Sequence, residues 1–88
     1  MDAQGPDLPR RGQVTELDRA RHQMRLSRHE LWARYFALGG GARPGELNVF
    51  LDGRLTLDRH EYDVVVQAVN ERSMELGSTC RWPYSEDE

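Results

Sequence analysis

The feature that most limits this chain is where its helix-stopping residues fall. Gly39-Gly40-Gly41, Gly53 and Gly77 divide everything after Leu26 into three lengths, each suited to one short helix. Glycine enters left-handed backbone space at little cost, so it commonly stands just past a helix C-terminus. Each length also opens on a start signal. Ser27-Arg28-His29-Glu30 has the form of a capping box, in which the Ser hydroxyl takes the amide of the third helical residue and Glu30 reaches back to the cap amide. Arg43-Pro44 puts Pro at a first helical position, where its missing N–H is no loss. Asp58, or Thr56 before it, can cap the last length, with Glu61 three residues after Asp58. The spacing predicts helices from Ser27 to about Leu38, from Pro44 to Gly53, and from Asp58 to Gly77.

The apolar residues agree with that division. Leu31, Trp32, Tyr35, Phe36 and Leu38 offer a first face, Leu47, Phe50 and Leu51 a second at i, i+3, i+4, and Tyr62, Val65, Val66, Val69 and Leu76 a third. Val64-Val65-Val66 alone suits a strand, but the flanking caps and a length of roughly 18 residues favour helix. Leu55 and Leu57 are expected to plug the turn between the second and third helices. The expected fold is all-α: a small three-helix bundle within residues 14–77, behind a flexible leader at 1–13 and ahead of an acidic tail at 78–88 that carries Trp82-Pro83-Tyr84. Eighty-eight residues bury a small core, and the lone Cys80 cannot form an intrachain disulfide, so a partner would help stability.

Residues 15–26 contain no Gly or Pro and admit two readings. Either Ser27 caps a new helix, or one helix runs through it. In the continuous version Leu17, Met24, Leu31 and Leu38 lie seven residues apart, with Val14, Arg21, Arg28 and Tyr35 at the other seam position, as in a short heptad ladder. That face is the candidate self-association interface, and the helix would project as an arm some 18 Å beyond the bundle at about 1.5 Å per residue. The competing explanation is an ordinary amphipathic helix.

Charge is distributed unevenly. Residues 1–43 hold eight Arg against five acids, and residues 44–88 hold four Arg against ten acids. Opposite halves can fit each other within one chain or between subunits, or the basic half can face an anionic partner. Arg21, Arg25 and Arg28 form the densest basic stripe and are the candidate anion- or partner-binding residues. Trp82 and Tyr84, two aromatics around a rigid Pro, either fold back onto the bundle or act as a peptide-like ligand.

Several chemistries are disfavoured. His22 and His29 stand at i, i+7, too far apart for chelation from one helix. Residues 48–59 brush the calcium-loop pattern, but Phe50 and Arg59 occupy positions that need oxygen ligands. The Gly39 to Pro44 segment precedes a helix without the Lys-Ser/Thr pair of a phosphate loop. No nucleophile stands in a recognisable local motif with a base, and Cys80 beside Arg81 reads as a plain tail cysteine. No catalytic residue, metal or cofactor is therefore expected. No run of about 18 apolar residues occurs, and residues 1–12 lack a signal-peptide core, so the expectation is a cytoplasmic chain without a membrane span.

The stretch from Glu30 to Arg72, through Leu31-Trp32, Arg34-Tyr35, Leu38-Gly39-Gly40, Glu46-Leu47, Phe50-Leu51, Gly53 and Ala68 to Glu71, resembles small stand-alone all-helical proteins of actinobacteria with no assigned function. The turn Gly53-Arg54-Leu55-Thr56-Leu57-Asp58 resembles that of short helical hairpins of the SHOCT type, although the preceding half of the hairpin is not in its usual form. These resemblances imply oligomerisation or partner binding and carry no site residues. The expected function is a small regulatory or adaptor protein acting by protein–protein contact, as a homodimer or with another protein. The alternative is a nucleic-acid-binding regulator using the Arg-rich first helix, against which stand Asp58, Glu61, Asp63, Glu71 and Glu75 on the helix that would read DNA.

Overall fold

The computed structural model describes residues 11–85, with side chains from Val14 onward; residues 1–10 of the expected leader and 86–88 of the expected tail lie outside the described residues. Four helices follow in order: α1 (Arg11–Gln23), α2 (Arg28–Ala37), α3 (Pro44–Leu51) and α4 (Arg59–Glu75). The all-α class holds, and the count of three helices is corrected to four among the described residues. Arg11–Gln23 forms a separate helix that folds back onto α3 and α4, so the described residues include no projecting arm. α2 lies against α4 and α3, and α1 lies against α3 and α4, which leaves α4 in contact with both N-terminal helices.

The start signals act as their chemistry dictates. Ser27 Oγ accepts the Glu30 amide at 3.0 Å while the Glu30 carboxylate accepts the Ser27 amide at 2.9 Å, closing the capping box that starts α2. Pro44 opens α3, and the Arg43 amide just before it donates to Glu46 at 2.8 Å. Asp58, not Thr56, caps α4 by accepting the Glu61 amide at 2.8 Å.

All four helices end alike. In each, a residue with positive φ donates its amide three residues back and the next amide reaches five back, satisfying carbonyls that the last turn leaves open. Gly39, Gly53 and Gly77 take this position after α2, α3 and α4, at φ of 101°, 79° and 77°. After α1 the position belongs to Arg25, at φ 58°, where a side chain costs about 1–2 kcal/mol. Absence of a glycine there is why the end of α1 left no mark in the sequence.

The core is built around α4. Tyr62, Val65, Val66, Ala68, Val69 and Ser73 are buried, against Leu31 and Tyr35 from α2, Leu47, Phe50 and Leu51 from α3, and Val14 and Leu17 from α1. Leu57 plugs the turn as expected, but Leu55 points outward. Two other expected core residues also face out: Phe36 is 60% exposed and Leu76 52%. Trp32 and Leu38 are half-buried at the edge. The reason is angular. Leu31 and Tyr35, four residues apart, aim one stripe of α2 inward, and Trp32 and Phe36, each one residue further on, lie about 100° around the helix.

The charge asymmetry is met partly within the chain. Arg28 joins three elements, reaching Asp18 on α1 at 3.1 Å and Asp52 after α3 at 3.0 Å. Arg34 on α2 grips Glu75 at the end of α4 with both guanidinium ends, at 2.8 and 2.6 Å, and Arg72 adds a contact to the same carboxylate at 3.5 Å. Among the described residues no helix is long and apolar enough to cross a membrane.

Candidate functional site

The four ladder residues do not share a surface. Leu17 is 1% exposed and Leu31 is fully buried, on two different helices, and both face the chain's own core. Met24 lies in the turn after α1 and Leu38 at the cap of α2, each half-buried against that core. The seven-residue spacing that suggested a seam is accommodated inside one chain, because the turn at 24–27 breaks the helix that would have aligned it.

The arginine stripe is dispersed by the same turn. Arg21 is 9% exposed, and it donates to Asp18 at 2.8 Å and to the Leu26 carbonyl at 2.8 Å, tying the end of α1 to the chain beyond it. Arg28 is held by the two aspartates named above and also donates to the Asn48 carbonyl at 3.3 Å. Burial would raise the Asp18 pKa, but hydrogen bonds and charge from Arg21 and Arg28 outweigh it and hold the carboxyl below its usual range. Of the three stripe residues, Arg25 alone is exposed.

The aromatic tail folds back onto α4. The Asn70 side-chain amide accepts the Trp82 amide at 2.8 Å and donates to the Trp82 carbonyl at 3.1 Å, so one side chain satisfies both main-chain groups of the tryptophan. Ser73 Oγ donates to the Cys80 carbonyl at 2.8 Å, and Asp63 accepts from the Ser85 amide and hydroxyl at 2.7 and 3.0 Å. The Trp82 ring is half-buried against the core, and Tyr84 stays at the surface. Between tail and helix runs an open groove of about 560 Å3, walled by Met74, Trp82, Pro83 and Tyr84 and rimmed by Glu71 and Arg81.

A second surface was not singled out in the sequence. On α2 the rings of Trp32 and Phe36 stack at 5.1 Å between centroids and 20° between planes, and His29 stacks on Trp32 at 6.3 Å. Trp32 is anchored by its indole N–H, which donates to the Ala42 carbonyl at 2.9 Å. His29, Trp32 and Phe36 lie at i, i+3, i+7, so the signal for one continuous aromatic face was present in the spacing. The expected core takes in Trp32 and Phe36 without His29, so the three are not joined into one face there.

Beneath this face the loop at 39–42 is fastened to a buried ring. The Tyr35 hydroxyl donates to Glu61 Oε1 and accepts the Ala42 amide at 2.7 Å, and the same Glu61 oxygen accepts the Gly41 amide at 3.0 Å. Burial, then the bond to Glu61, push the Tyr35 pKa up to about 12. Gly40 lies flat on the ring, where a Cβ would meet Tyr35 Cζ at 2.2 Å. The cluster is a structural lock, since the ring is fully buried and offers no face to a ligand. Among the described residues no group of His, Cys, Asp and Glu is placed to hold a metal ion. No family model, curated protein or solved structure matches the chain.

Proposed function

We propose that this chain is a small adaptor that acts by protein–protein contact and self-associates through the outer aromatic face of α2. The observation that carries the reading is the ladder His29, Trp32 and Phe36, pre-stacked on a rigid helix with its outermost ring 60% exposed. Aromatic side chains combine large contact area with few rotatable bonds, so little entropy is lost when they are covered, and they dominate interface energetics. The ladder replaces the Leu17, Met24, Leu31 and Leu38 face as the association surface, because those residues are committed to the core.

Light scattering across a hundredfold range of concentration tests this. The molar mass is expected to rise with concentration, and Phe36→Ser is expected to hold the protein monomeric with its helical content unchanged. A wild-type chain that stays monomeric throughout refutes self-association by this face. The alternative, nucleic-acid binding through Arg21, Arg25 and Arg28, predicts complexes with short duplex DNA that weaken steeply with salt. It retains one exposed arginine of the three.

A further inference from the structure

The polar groups on one face of α4 are arranged to hold a backbone. Asp63, Asn70 and Ser73 stand at i, i+7 and i+10, and four of their six side-chain bonds to the tail go to main-chain atoms, the Trp82 amide and carbonyl, the Cys80 carbonyl and the Ser85 amide; the other two go to the Ser85 hydroxyl and the Arg81 guanidinium. From Cys80 to Ser85 the tail advances five residues while its partners retreat ten, from Ser73 to Asp63. Five extended residues cover about 16 Å, and ten helical residues about 15 Å. The tail therefore runs extended and antiparallel along α4, matched to it in length. Contacts to main chain accept any extended segment, and selectivity falls to the Trp82 ring, which packs against the core.

The helix face is covered in the structure. Asn70 is 6% exposed and Ser73 is fully buried with the tail in place. Their bonds go to the tail's main chain, and any extended segment that supplies the same groups can take its place. The occupant seen is this chain's own residues 78–85, joined to α4 through Gly77 at φ 77° and the exposed Thr79. Opening at that hinge leaves α1 to α4 in place and frees both the strip and its ligand.

We propose that this face of α4 is a docking strip for an extended peptide, and that in trans it takes the 78–85 segment of a second copy, so that two chains exchange tails. Exchange preserves every bond and changes only which chain supplies it, which makes it a low-cost route to a dimer. The strip is separate from the aromatic face of α2 and goes beyond the self-association proposed there.

The test uses the full-length chain carrying Trp82→Ala, which removes the ring that packs the tail against the core and so weakens the chain's own hold on the strip, and a fluorescent peptide of residues 78–85. Saturable binding is expected. Adding Asn70→Ala, or Ser73→Ala if the first variant loses helicity, should weaken it about tenfold or more, and the unsubstituted chain should bind about tenfold or more less tightly, since its tethered tail competes at millimolar effective concentration. A folded Trp82→Ala chain that ignores millimolar peptide, or binding that neither second substitution weakens, overturns the strip. Tail exchange is then read by energy transfer between donor and acceptor populations labelled at Cys80, in a Phe36→Ser background so that association through α2 makes no contribution. Transfer that grows with concentration and vanishes with Trp82→Ala supports the second copy as occupant. Peptide binding without transfer at any concentration overturns it, and leaves the α2 reading to be decided by its own experiment.

Discussion

Two segments leave the helical frame and return to it, and they are fastened by opposite means. Residues 39–42 are held by a buried aromatic ring: Tyr35 lies under Gly40 with no room for a Cβ, and its hydroxyl binds Glu61 and Ala42 at once. Residues 78–85 are held by side chains of α4 that grip the tail's main chain, with only the half-buried Trp82 ring reaching the core. The first attachment is shape-specific and cannot open without disturbing the packing around α2. The second is a row of polar bonds at the edge of the fold, each replaceable by water or by another backbone. Permanent architecture and a releasable strap thus occur within one small domain, and interaction chemistry belongs with the strap.

The largest effect that separates them is expected from Gly40→Ala. A methyl group 2.2 Å from Tyr35 Cζ has to move a ring that has no space to move into, at a cost of about 3 kcal/mol. A denaturation midpoint within error of wild type would show the loop to be as loose as the tail. Tyr35→Phe comes next, at about 1–3 kcal/mol, because the Ala42 amide and the Glu61 carboxylate both lose a partner. The same hydroxyl sets an alkaline limit. A phenol whose pKa rises from 10 to about 12 on folding contributes stability that is fully present below pH 10 and is lost as pH climbs toward 12. Denaturation at a series of pH values should show that loss in wild type, and a smaller one in Tyr35→Phe.

How much of this was legible in the sequence depended on how local each signal is. Pro44 and three of the four helix ends are decided by neighbouring residues and stand where the sequence puts them, whereas the Asp58 cap and the Ser27/Glu30 box each had a competing reading in Thr56 and in a continuous helix. The break between α1 and α2 was left undecided because its left-handed residue is Arg25, which carries no such signature. Phe36 and Leu76 were placed in the core on size and spacing alone, but how far the buried stripe of a helix extends is set by its neighbours in space. Asn70 and Ser73 were overlooked as site residues for the converse reason. Polar residues on a helix read as surface until the segment that covers them is known.

On the tail side the expected effects are smaller. Asn70→Ala removes both bonds to Trp82 but frees main-chain groups at an edge that water can reach, so about 1 kcal/mol is expected, with a red shift in Trp82 fluorescence as the tail detaches. A loss as large as that of Gly40→Ala would mean that the tail is part of the core, and the contrast would collapse. Ser85→Ala removes only the hydroxyl bond to Asp63 and should cost about 0.5 kcal/mol or less by the same denaturation assay.

One pair of amides isolates the central contrast. The Ala42 amide donates to the Tyr35 hydroxyl at 2.7 Å and the Trp82 amide donates to Asn70 Oδ1 at 2.8 Å, so each is held by a single side-chain oxygen at nearly the same length. Native-state hydrogen exchange, followed residue by residue by NMR, distinguishes how they open. The account predicts that Ala42 exchanges only with global unfolding, while Trp82 exchanges through a cheaper local opening that denaturant barely accelerates. Equal protection at the two amides, with the same denaturant dependence, would contradict it: the tail would then be part of the fold, with no strip to offer a second copy.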